Sequence, residues 1–424
     1  DLYRARRFAE EIKNPNAKIY LAVALLETDY YDEAIQIFMD NKNFTLYNKV
    51  IEFGVKNKRY KFLLKFLLTA RNTVYDPIID THIPACYAFM GNDTEIKSFL
   101  ASESRCDINK AGDVCLDNNL LNAAFILFKY ISNYSKLAKV CLMMENFEDA
   151  IKFAEKTNNH AVMFEICTYC LHKGHHLYAI KSANYLFSAH YQMPALIEAF
   201  ESEGLFIMLC DSLEQATRNS QAQASVYQHY LTAIAKYKPE NLLPSLPVMH
   251  LKVNNKSELV KTFIRTANYA AASLLEELTE NYDQAIEIVI QYPAQAWNHT
   301  KVIQIVSKLR NFKVIKDLFE FYLAYAPEYI NDIYVGVVSK TDHKLLLNIL
   351  GSQKYLALKA LERFNSSQDS TVINALIEIY SQTGNKQKLK QLISHNKNFS
   401  ISVNSSEADS SFSVIFAYYY EITI

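Results

Sequence analysis

Two cysteines and three histidines fall within ten residues and have the ligand types of a metal site: Cys167, Cys170, His172, His175 and His176. Thiolates and imidazoles are the usual ligands of zinc, so this cluster has to be considered as a zinc site. A closed tetrahedral site normally takes ligands from a second, separated element, whereas these five residues lie in one short stretch. The spacing therefore argues against zinc, and we predict no metal and no other cofactor.

The rest of the sequence lacks the usual catalytic signatures. It contains no G-x-S-x-G, no phosphate-binding loop, no H-E-x-x-H, no G-x-G-x-x-G and no EF-hand loop. The 44 Lys and Arg are balanced by 45 Asp and Glu, so the basic footprint of a nucleic-acid-binding protein is missing. We predict that the chain is not an enzyme and that it binds no nucleic acid.

The elements around the cysteine and histidine cluster are short helices. Phe147, Ala150, Ile151 and Ala154 fall at spacings of three and four, which predicts a half-buried helix. Polar residues end it, and a second apolar helix is predicted over 162–171. Each helix has an apolar face too large to leave in water, so the two must pack on each other and on the next pair.

The same helical hairpin recurs along the chain. Aromatic or aliphatic residues open every second predicted helix, at steps that are multiples of about 30 residues. These residues are Leu2, Tyr31, Tyr60, Leu121, Phe147, Phe206, Tyr282 and Phe312. A longer period of about 145 residues carries Ala34 and Ile35 onto Ala179 and Ile180. Both periods predict an all-α solenoid of short helical hairpins, and about 14 hairpins advancing ~8–10 Å each would make an elongated rod.

The composition agrees with this fold. Half of the residues are hydrophobic, and only 8 Gly and 9 Pro are present. The seven cysteines lie inside apolar helical patterns, which is typical of reduced core thiols. We predict that Pro84 marks the first turn of a helix and that the prolines over 239–247 mark a loop or a short broken helix. The only tryptophan, Trp297, is predicted to be a core anchor.

We predict one continuous solenoid made of three repeat blocks, residues 1–180, 181–331 and 332–424. The third block is expected to be weaker and truncated, because a serine-rich stretch over 400–413 favours little local structure. The sequence starts without Met in the middle of a repeat. We therefore expect it to be a piece of a longer protein.

A more specific order of residues occurs between Glu276 and Leu350. Its runs are Asn281-Tyr282-Asp283-Gln284-Ala285-Ile286, Tyr292-Pro293, Ala296-Trp297, Phe319-Glu320-Phe321-Tyr322-Leu323 and Thr341-Asp342-His343. In this order they resemble the proximal leg of the clathrin heavy chain, and the resemblance covers residues 1–350 well and the remainder weakly. It implies a right-handed α-α superhelix of clathrin heavy-chain repeats, without that family's N-terminal propeller, distal leg and trimerisation segment.

The resemblance implies a mechanical function. A clathrin heavy chain is a structural leg of a vesicle coat, which assembles into a polyhedral lattice for endocytic and intracellular protein transport. The resemblance implies a cytoplasmic protein, peripheral on coated pits and coated vesicles, with a clathrin light chain and other heavy-chain legs as partners. The legs would form a trimer through a segment beyond this chain, and adaptors would bind through regions outside it.

The resemblance also implies a light-chain site. An acidic, helical light chain along the leg needs exposed apolar side chains with basic residues at the rim. The matching loop holds Lys236 and Lys238, but Glu240 and Asn241 stand where the family has further basic or amide residues. The partner helix is implied to continue past a second group, which consists of Lys340, His343, Lys344 and Tyr355. A solvated loop is the alternative for the two lysines.

Two other functions remain open at this point. One is a subunit of an endolysosomal membrane-tethering complex, since those proteins share the clathrin-type repeat. The other is a generic helical-repeat scaffold, or a soluble enzyme or its regulatory helical scaffold. A catalytic function would need titratable groups that converge in a pocket, and no such set is evident in the sequence.

Overall fold

The protein is built from short α-helices that are joined by tight turns. The computed structural model describes residues 2–12, 15–28, 30–338, 341–365 and 369–395, and within these ranges there is no β-strand. The chain divides into two units, Asp1–Met208 and Leu209–Ile424. Consecutive helices pack against each other inside each unit, as Tyr134–Met143 does with Phe147–Thr157 in the first unit and Tyr269–Leu278 with Tyr282–Gln291 in the second. The predicted all-α fold of helical hairpins is therefore confirmed, whereas the predicted block boundaries near residues 180 and 331 stay predictions.

The first unit contains helices α1 to α14. Their bounds are Leu2–Glu11, Pro15–Glu27, Tyr31–Asp40, Tyr47–Lys56, Tyr60–Ala70, Pro77–Phe89, Asp93–Ala101, Ile108–Asp117, Leu121–Tyr130, Tyr134–Met143, Phe147–Thr157, His160–His172, His176–Ser188 and Met193–Ser202. Helix α15, Phe206–Thr217, contains the boundary between the units.

The second unit contains helices α16 to α28. Their bounds are Ala224–Tyr237, Leu242–Met249, Lys256–Arg265, Tyr269–Leu278, Tyr282–Gln291, Pro293–Ala296, His299–Val306, Phe312–Tyr325, Ile330–Val337, His343–Leu350, Leu358–Phe364, Ser370–Gln382 and Lys386–His395. Short 3-10 segments precede or follow some of them, at Pro239–Asn241, His250–Lys252, Pro327–Tyr329 and Gly351–Ala357.

The residues predicted to open every second helix all occupy first helical positions. Leu2, Tyr31 and Tyr60 begin α1, α3 and α5, and the other five residues of that set begin α9, α11, α15, α20 and α23. Tyr31 shows why the position suits a large side chain, since it is 1% exposed and its hydroxyl donates to the Val50 carbonyl at 2.9 Å. At this position the first turn of α3 is therefore anchored to α4.

A regular turn joins the helices between α8 and α12. At the end of each helix one non-glycine residue has a positive φ, in the left-handed region of backbone conformation. These residues recur at a constant interval and are Asn119, Ser132, Glu145 and Asn158. Beside Ser132, the Asn133 N–H donates back to the Phe128 carbonyl at 2.9 Å, which closes the end of α9. Because α9 begins at Leu121 and α11 at Phe147, the hairpin in this stretch is shorter than the predicted step of about 30 residues.

Asparagine caps begin the helices that follow these turns. The Asn133 side chain accepts the Lys136 N–H at 3.3 Å, and Asn146 and Asn159 occupy the same position before α11 and α12. Such a cap contributes about 0.5–2 kcal/mol relative to alanine, because it satisfies a backbone donor that the first helical turn leaves free.

Two sequence predictions about single residues were wrong. Pro84 lies inside α6 rather than in its first turn, where Pro77 stands after the capping residue Asp76. The helix tolerates the lost backbone donor because packing outweighs it: Pro84 is buried, and Ile83 beside it is 0% exposed. Trp297, predicted to be in the core, keeps 36% of its surface exposed. The prolines over 239–247 do lie in a 3-10 segment and a short helix, as predicted.

Candidate partner-binding surface

The loop predicted to contact a light chain follows α16 in the second unit. Lys236 is exposed in the last turn of α16, and its Nζ lies 5.8 Å from the centroid of the Tyr237 ring. Lys238 has only 20% of its side chain exposed, because its Nζ donates to Asp211 Oδ1 at 2.5 Å. This hydrogen bond to Asp211 raises the pKa of Lys238 above its ordinary value. Of the two predicted lysines, Lys236 is therefore the one that faces solvent.

The second predicted group lies around the start of α25. Lys340 lies outside the residues that the structure describes. His343 is half-buried, and its Nδ1 accepts a hydrogen bond from the Tyr334 hydroxyl at 2.8 Å. Burial lowers the pKa of His343. Lys344 is exposed in the first turn of α25, and Tyr355 is 52% exposed. Lys344 and Tyr355 are thus accessible, whereas His343 is part of a packed contact.

The two groups lie in different hairpins of the second unit. Lys236 is in the last turn of α16, Lys344 is in α25, and Tyr355 is in the 3-10 segment that follows α25. The light-chain assignment of these residues stays a prediction.

The cysteine and histidine cluster is divided between the core and the surface. Cys167 and Cys170 are 0% exposed within α12, and burial raises the pKa of Cys170 to about 11. The Cys167 thiol points at the Ala179 carbonyl, 3.4 Å away. His172 Nδ1 lies 2.7 Å from Glu203 Oε1, at the surface. The thiols and the imidazoles therefore have different neighbours, and in the described part of the chain no three Cys, His, Asp or Glu residues are grouped as metal ligands.

A hydrogen-bonded network around Tyr322 was missed by the sequence analysis. Trp297 Nε1 donates to the Tyr322 hydroxyl at 3.2 Å, and that hydroxyl lies 3.0 Å from His299 Nδ1. His299 Nε2 lies 3.3 Å from Asp332 Oδ2. Because a carboxylate can only accept, His299 Nε2–H donates to Asp332 Oδ2. In that tautomer Nδ1 is the acceptor, and the Tyr322 hydroxyl donates to it.

This network has the residue types of a proton relay but not its accessibility. Tyr322 is 0% exposed, and burial raises the pKa of its hydroxyl. His299 is also stacked on Tyr329, with 4.0 Å between the ring centroids. The network therefore fixes α22 against α23 and α24. The helical pattern marks Tyr322 as an apolar position but does not show which side chains meet its hydroxyl, so no signal in the sequence marked the contact.

A polar cleft in the first unit is lined by charged groups that have partners within the protein. Arg71 Nε pairs with Asp80 Oδ1 at 3.1 Å, and the Arg105 backbone N–H donates to Asp80 Oδ2 at 2.8 Å. The Arg105 guanidinium lies 4.2 Å from the centroid of the Tyr75 ring. Asp80 is 5% exposed, so this charge is compensated inside the protein. The contacts connect α6 to the chain after α7.

Comparisons with known proteins agree with the helical hairpins. Residues 38–178 match the family model described as the region in clathrin and VPS. The clathrin heavy chain of Dictyostelium discoideum is 25% identical over 93% of this chain and 23% of its own length. The probable clathrin heavy chain of Schizosaccharomyces pombe is 26% identical over 82% and 21%, and human clathrin heavy chain 2 is 24% identical over 94% and 24%.

The chain spans about a quarter of the length of the curated relatives that it matches. Among solved structures, the maize pentatricopeptide repeat protein PPR10 shares 12% identity with a TM-score of 0.31, over 92% of this chain and 70% of that one. A TM-score of that size is too low to support a shared fold.

The hairpins of both units define an α-helical repeat protein. No helix in the described ranges is both long enough and apolar enough to cross a lipid bilayer. Within the helical-repeat class, the family match over residues 38–178 and the heavy-chain relatives make this chain similar to a clathrin heavy-chain repeat region. The predicted resemblance is therefore confirmed.

Proposed function

We propose that this chain is a structural segment of a clathrin-type coat heavy chain and works by assembly rather than by catalysis. One observation carries the proposal: similarity to clathrin heavy chains extends over 82–94% of the chain, through both units of stacked hairpins. The protein would take part in a polyhedral lattice on coated pits and coated vesicles. It would bind the cytoplasmic side of the membrane peripherally, and adaptors would contact regions outside this chain.

Stacked hairpins suit this mechanical function. Each hairpin contacts chiefly its neighbours, so a load is passed from one packed pair of helices to the next. Individual contacts between legs in a lattice would be weak, and many in parallel would make a coat that is stable and can still be dismantled. The trimer of heavy chains would form through a segment beyond this chain.

Coat assembly is tested with the full-length heavy chain. We expect the tagged protein to co-fractionate with coated vesicles and to co-purify with other copies of itself and with a light chain. A matched protein that lacks residues 1–424 should fail to enter the coat while its remaining domains stay folded. Normal coat incorporation of the deleted protein would contradict the proposal.

We also propose that a light chain contacts the second unit, with Lys236, Lys344 and Tyr355 as its accessible contacts. Lys340 and His343 come into the proposal from the resemblance, and Lys238 would orient the loop through Asp211. Exposed cations beside exposed tyrosine suit the acidic face of an amphipathic helix. The charges would steer the encounter, and the tyrosine would supply buried apolar area.

The light-chain contact is tested with paired charge reversals. Lys236→Glu combined with Lys344→Glu should weaken pull-down of the acidic light chain by about tenfold or more, because attraction becomes repulsion. Lys313→Glu, at an exposed position of α23, is the matched control and should leave the pull-down unchanged. Equal pull-down by the double variant and the control would remove this site while leaving the coat proposal intact.

A membrane-tethering subunit is the second candidate, because the matching family model covers VPS proteins as well as clathrin. The same fractionation separates the two functions. A tethering subunit would co-purify with a complex on endolysosomal membranes and would be absent from coated vesicles.

A further inference from the structure

We infer that a groove between α7 and α9 in the first unit binds an acidic protein segment that carries a bulky apolar residue. This surface, called the lysine groove below, is lined by Lys97, Leu100, Phe125, Ile126, Lys129 and Tyr130 and has a volume of about 440 Å³. It is separate from the positions in the second unit that we propose for the light chain, so the two proposals stand or fall independently.

The floor of the lysine groove is apolar and partly open to solvent. Leu100 is 5% exposed, and Phe125 and Ile126 are half-buried, so these three residues form the apolar lining. Tyr130, at the end of α9, is 58% exposed and stands at the edge. A concave apolar surface of this kind accepts an inserted side chain, and burial of that side chain supplies affinity.

The rim of the lysine groove carries only positive charge. Lys97 and Lys129 are exposed, no carboxylate lines the groove, and neither ammonium makes an ion pair within the described residues. Elsewhere in the same unit lysines do have partners, as Lys136 does with Asp113 at 2.5 Å and Lys152 with Glu148 at 2.9 Å. An apolar floor between two uncompensated cations is complementary to an apolar residue flanked by carboxylates.

Rings and ammonium groups continue from the lysine groove onto α10 and α11. The centroid of Phe125 lies 6.4 Å from that of Phe153, which is in turn stacked on Tyr134 at 5.9 Å. Lys156 Nζ lies 5.0 Å from the Tyr134 centroid, and Lys129 Nζ lies 5.6 Å from that of Phe125. These rings and ammonium groups extend over three helices, which is a larger surface than a small anion would cover. The size of the surface favours an extended or helical peptide as the ligand.

Charge alone would also attract an anionic membrane, but the shape of the site favours a peptide. A bilayer presents a surface that cannot enter the space between two helices, whereas a Leu or Phe side chain can fill it. If the ligand were a membrane, the apolar floor of the lysine groove would contact no ligand. The ligand is therefore assigned as a peptide segment, and a membrane is one of the outcomes that the test separates.

Fluorescence anisotropy tests the assignment with the 424-residue chain and a fluorescein-labelled peptide in which Leu and Phe are flanked by glutamates. We expect saturable binding that weakens by about tenfold or more for Lys97→Glu combined with Lys129→Glu. Lys61→Glu combined with Lys65→Glu, two exposed positions on α5, should change the affinity by less than about twofold. Tyr130→Ser, which alters no charge, should weaken binding severalfold.

Three results would overturn the assignment. A peptide with Ser in place of Leu and Phe that binds equally well would show attraction by charge without use of the groove. Equal losses for the α5 pair and the groove pair would show a general response to net charge. Binding to vesicles that contain phosphatidylserine, without binding of the peptide, would show a membrane surface instead. All four substituted side chains of the charge variants are exposed, so circular dichroism should show unchanged helix content.

Discussion

The Tyr322 hydroxyl shows how single polar atoms hold hairpins together in the second unit. It accepts from Trp297 Nε1 and donates to His299 Nδ1, and Asp332 orients the other side of the imidazole. Hydrogen bonds of this kind contribute modestly when made, but a buried partner left without one costs its full desolvation. Removing one member of the network should therefore cost more stability than the hydrogen bonds contribute, because a buried donor or acceptor would be left unpaired.

Tyr322→Phe removes this hydroxyl and keeps the ring. We expect the free energy of unfolding of the second unit to fall by about 1–3 kcal/mol, because Trp297 Nε1 and His299 Nδ1 lose their partner. Urea unfolding followed by Trp297 fluorescence measures the change, since this is the only tryptophan in the chain. Tyr325→Phe in the same helix is the control, because Tyr325 is 72% exposed, and its effect should stay within about 0.5 kcal/mol. Equal effects of the two substitutions would show that the network is energetically silent.

Three half-buried histidines should make stability depend on pH. Burial lowers the pKa of His82, His229 and His343, so between the folded pKa and about 6.5 the unfolded chain binds more protons. Their contribution to stability is therefore fully present above about pH 6.5 and is lost as the pH falls through the folded pKa values.

We expect the free energy of unfolding to fall between pH 7.5 and pH 5.5, with a limiting slope of about 1.4 kcal/mol per pH unit for each histidine. The pKa values of Asp107 and Asp369 are lowered in the folded protein. Their contribution to the free energy of unfolding is therefore lost only below about pH 4, outside this range. His229→Gln should flatten the slope for the second unit. An unchanged slope in that variant would exclude His229 as a source.

At the scale of elements, close approach between helices depends on a few residues without side chains. Gly112 in α8 faces Phe128 in α9, and a Cβ at Gly112 would lie 2.4 Å from Phe128 Cε1. The Phe128 ring is 0% exposed and packed, so it has little room to move. Gly112 is therefore needed for the close spacing of α8 and α9, and not for the conformation of a turn.

Gly112→Ala should destabilise the first unit by about 1–2 kcal/mol. Overpacking typically costs about 1–3 kcal/mol, which outweighs the ~1 kcal/mol that alanine gains in helix propensity. Thermal unfolding followed by circular dichroism measures the effect. In a Phe128→Leu background the same substitution should cost much less, because the clash is relieved. A stabilising effect of Gly112→Ala alone would show that α8 and α9 can separate freely.

At the scale of the whole molecule, the repeat pattern predicts an extended particle. A compact globule of this length would have a radius of gyration of about 22 Å. A single solenoid of about 14 hairpins would exceed that value clearly. Small-angle scattering of the 424-residue chain measures it directly, and a radius near that of the globule would contradict the sequence-based expectation.

Local regularities were the part of the structure that the sequence predicted well. Aromatic and aliphatic residues such as Tyr31 and Phe147 do begin helices, because a 3.6-residue period and its breaks are local properties. Pro84 was mispredicted for the opposite reason. Its position inside α6 depends on burial against other helices, which the local pattern does not record.

At the candidate sites, too, some features were predicted from the sequence and others were found only in the structure. The sequence indicated that Lys236 and Lys238 lie in one loop, but only the structure pairs Lys238 with Asp211 and leaves Lys236 facing solvent. The lysine groove brings Lys97 of α7 next to Lys129 of α9. Neither lysine stands out in its own helix, because the groove exists only where two helices meet.

Residues close together in the chain are enough to specify a series of helical hairpins and the residues that begin them, because helix periodicity and capping act over a few residues. Which charges are paired, where Trp297 lies and where two helices leave an open groove follow only from the folded arrangement. Those features depend on contacts between residues that are distant in the chain, and their free energies are set by burial and by the geometry of the partner.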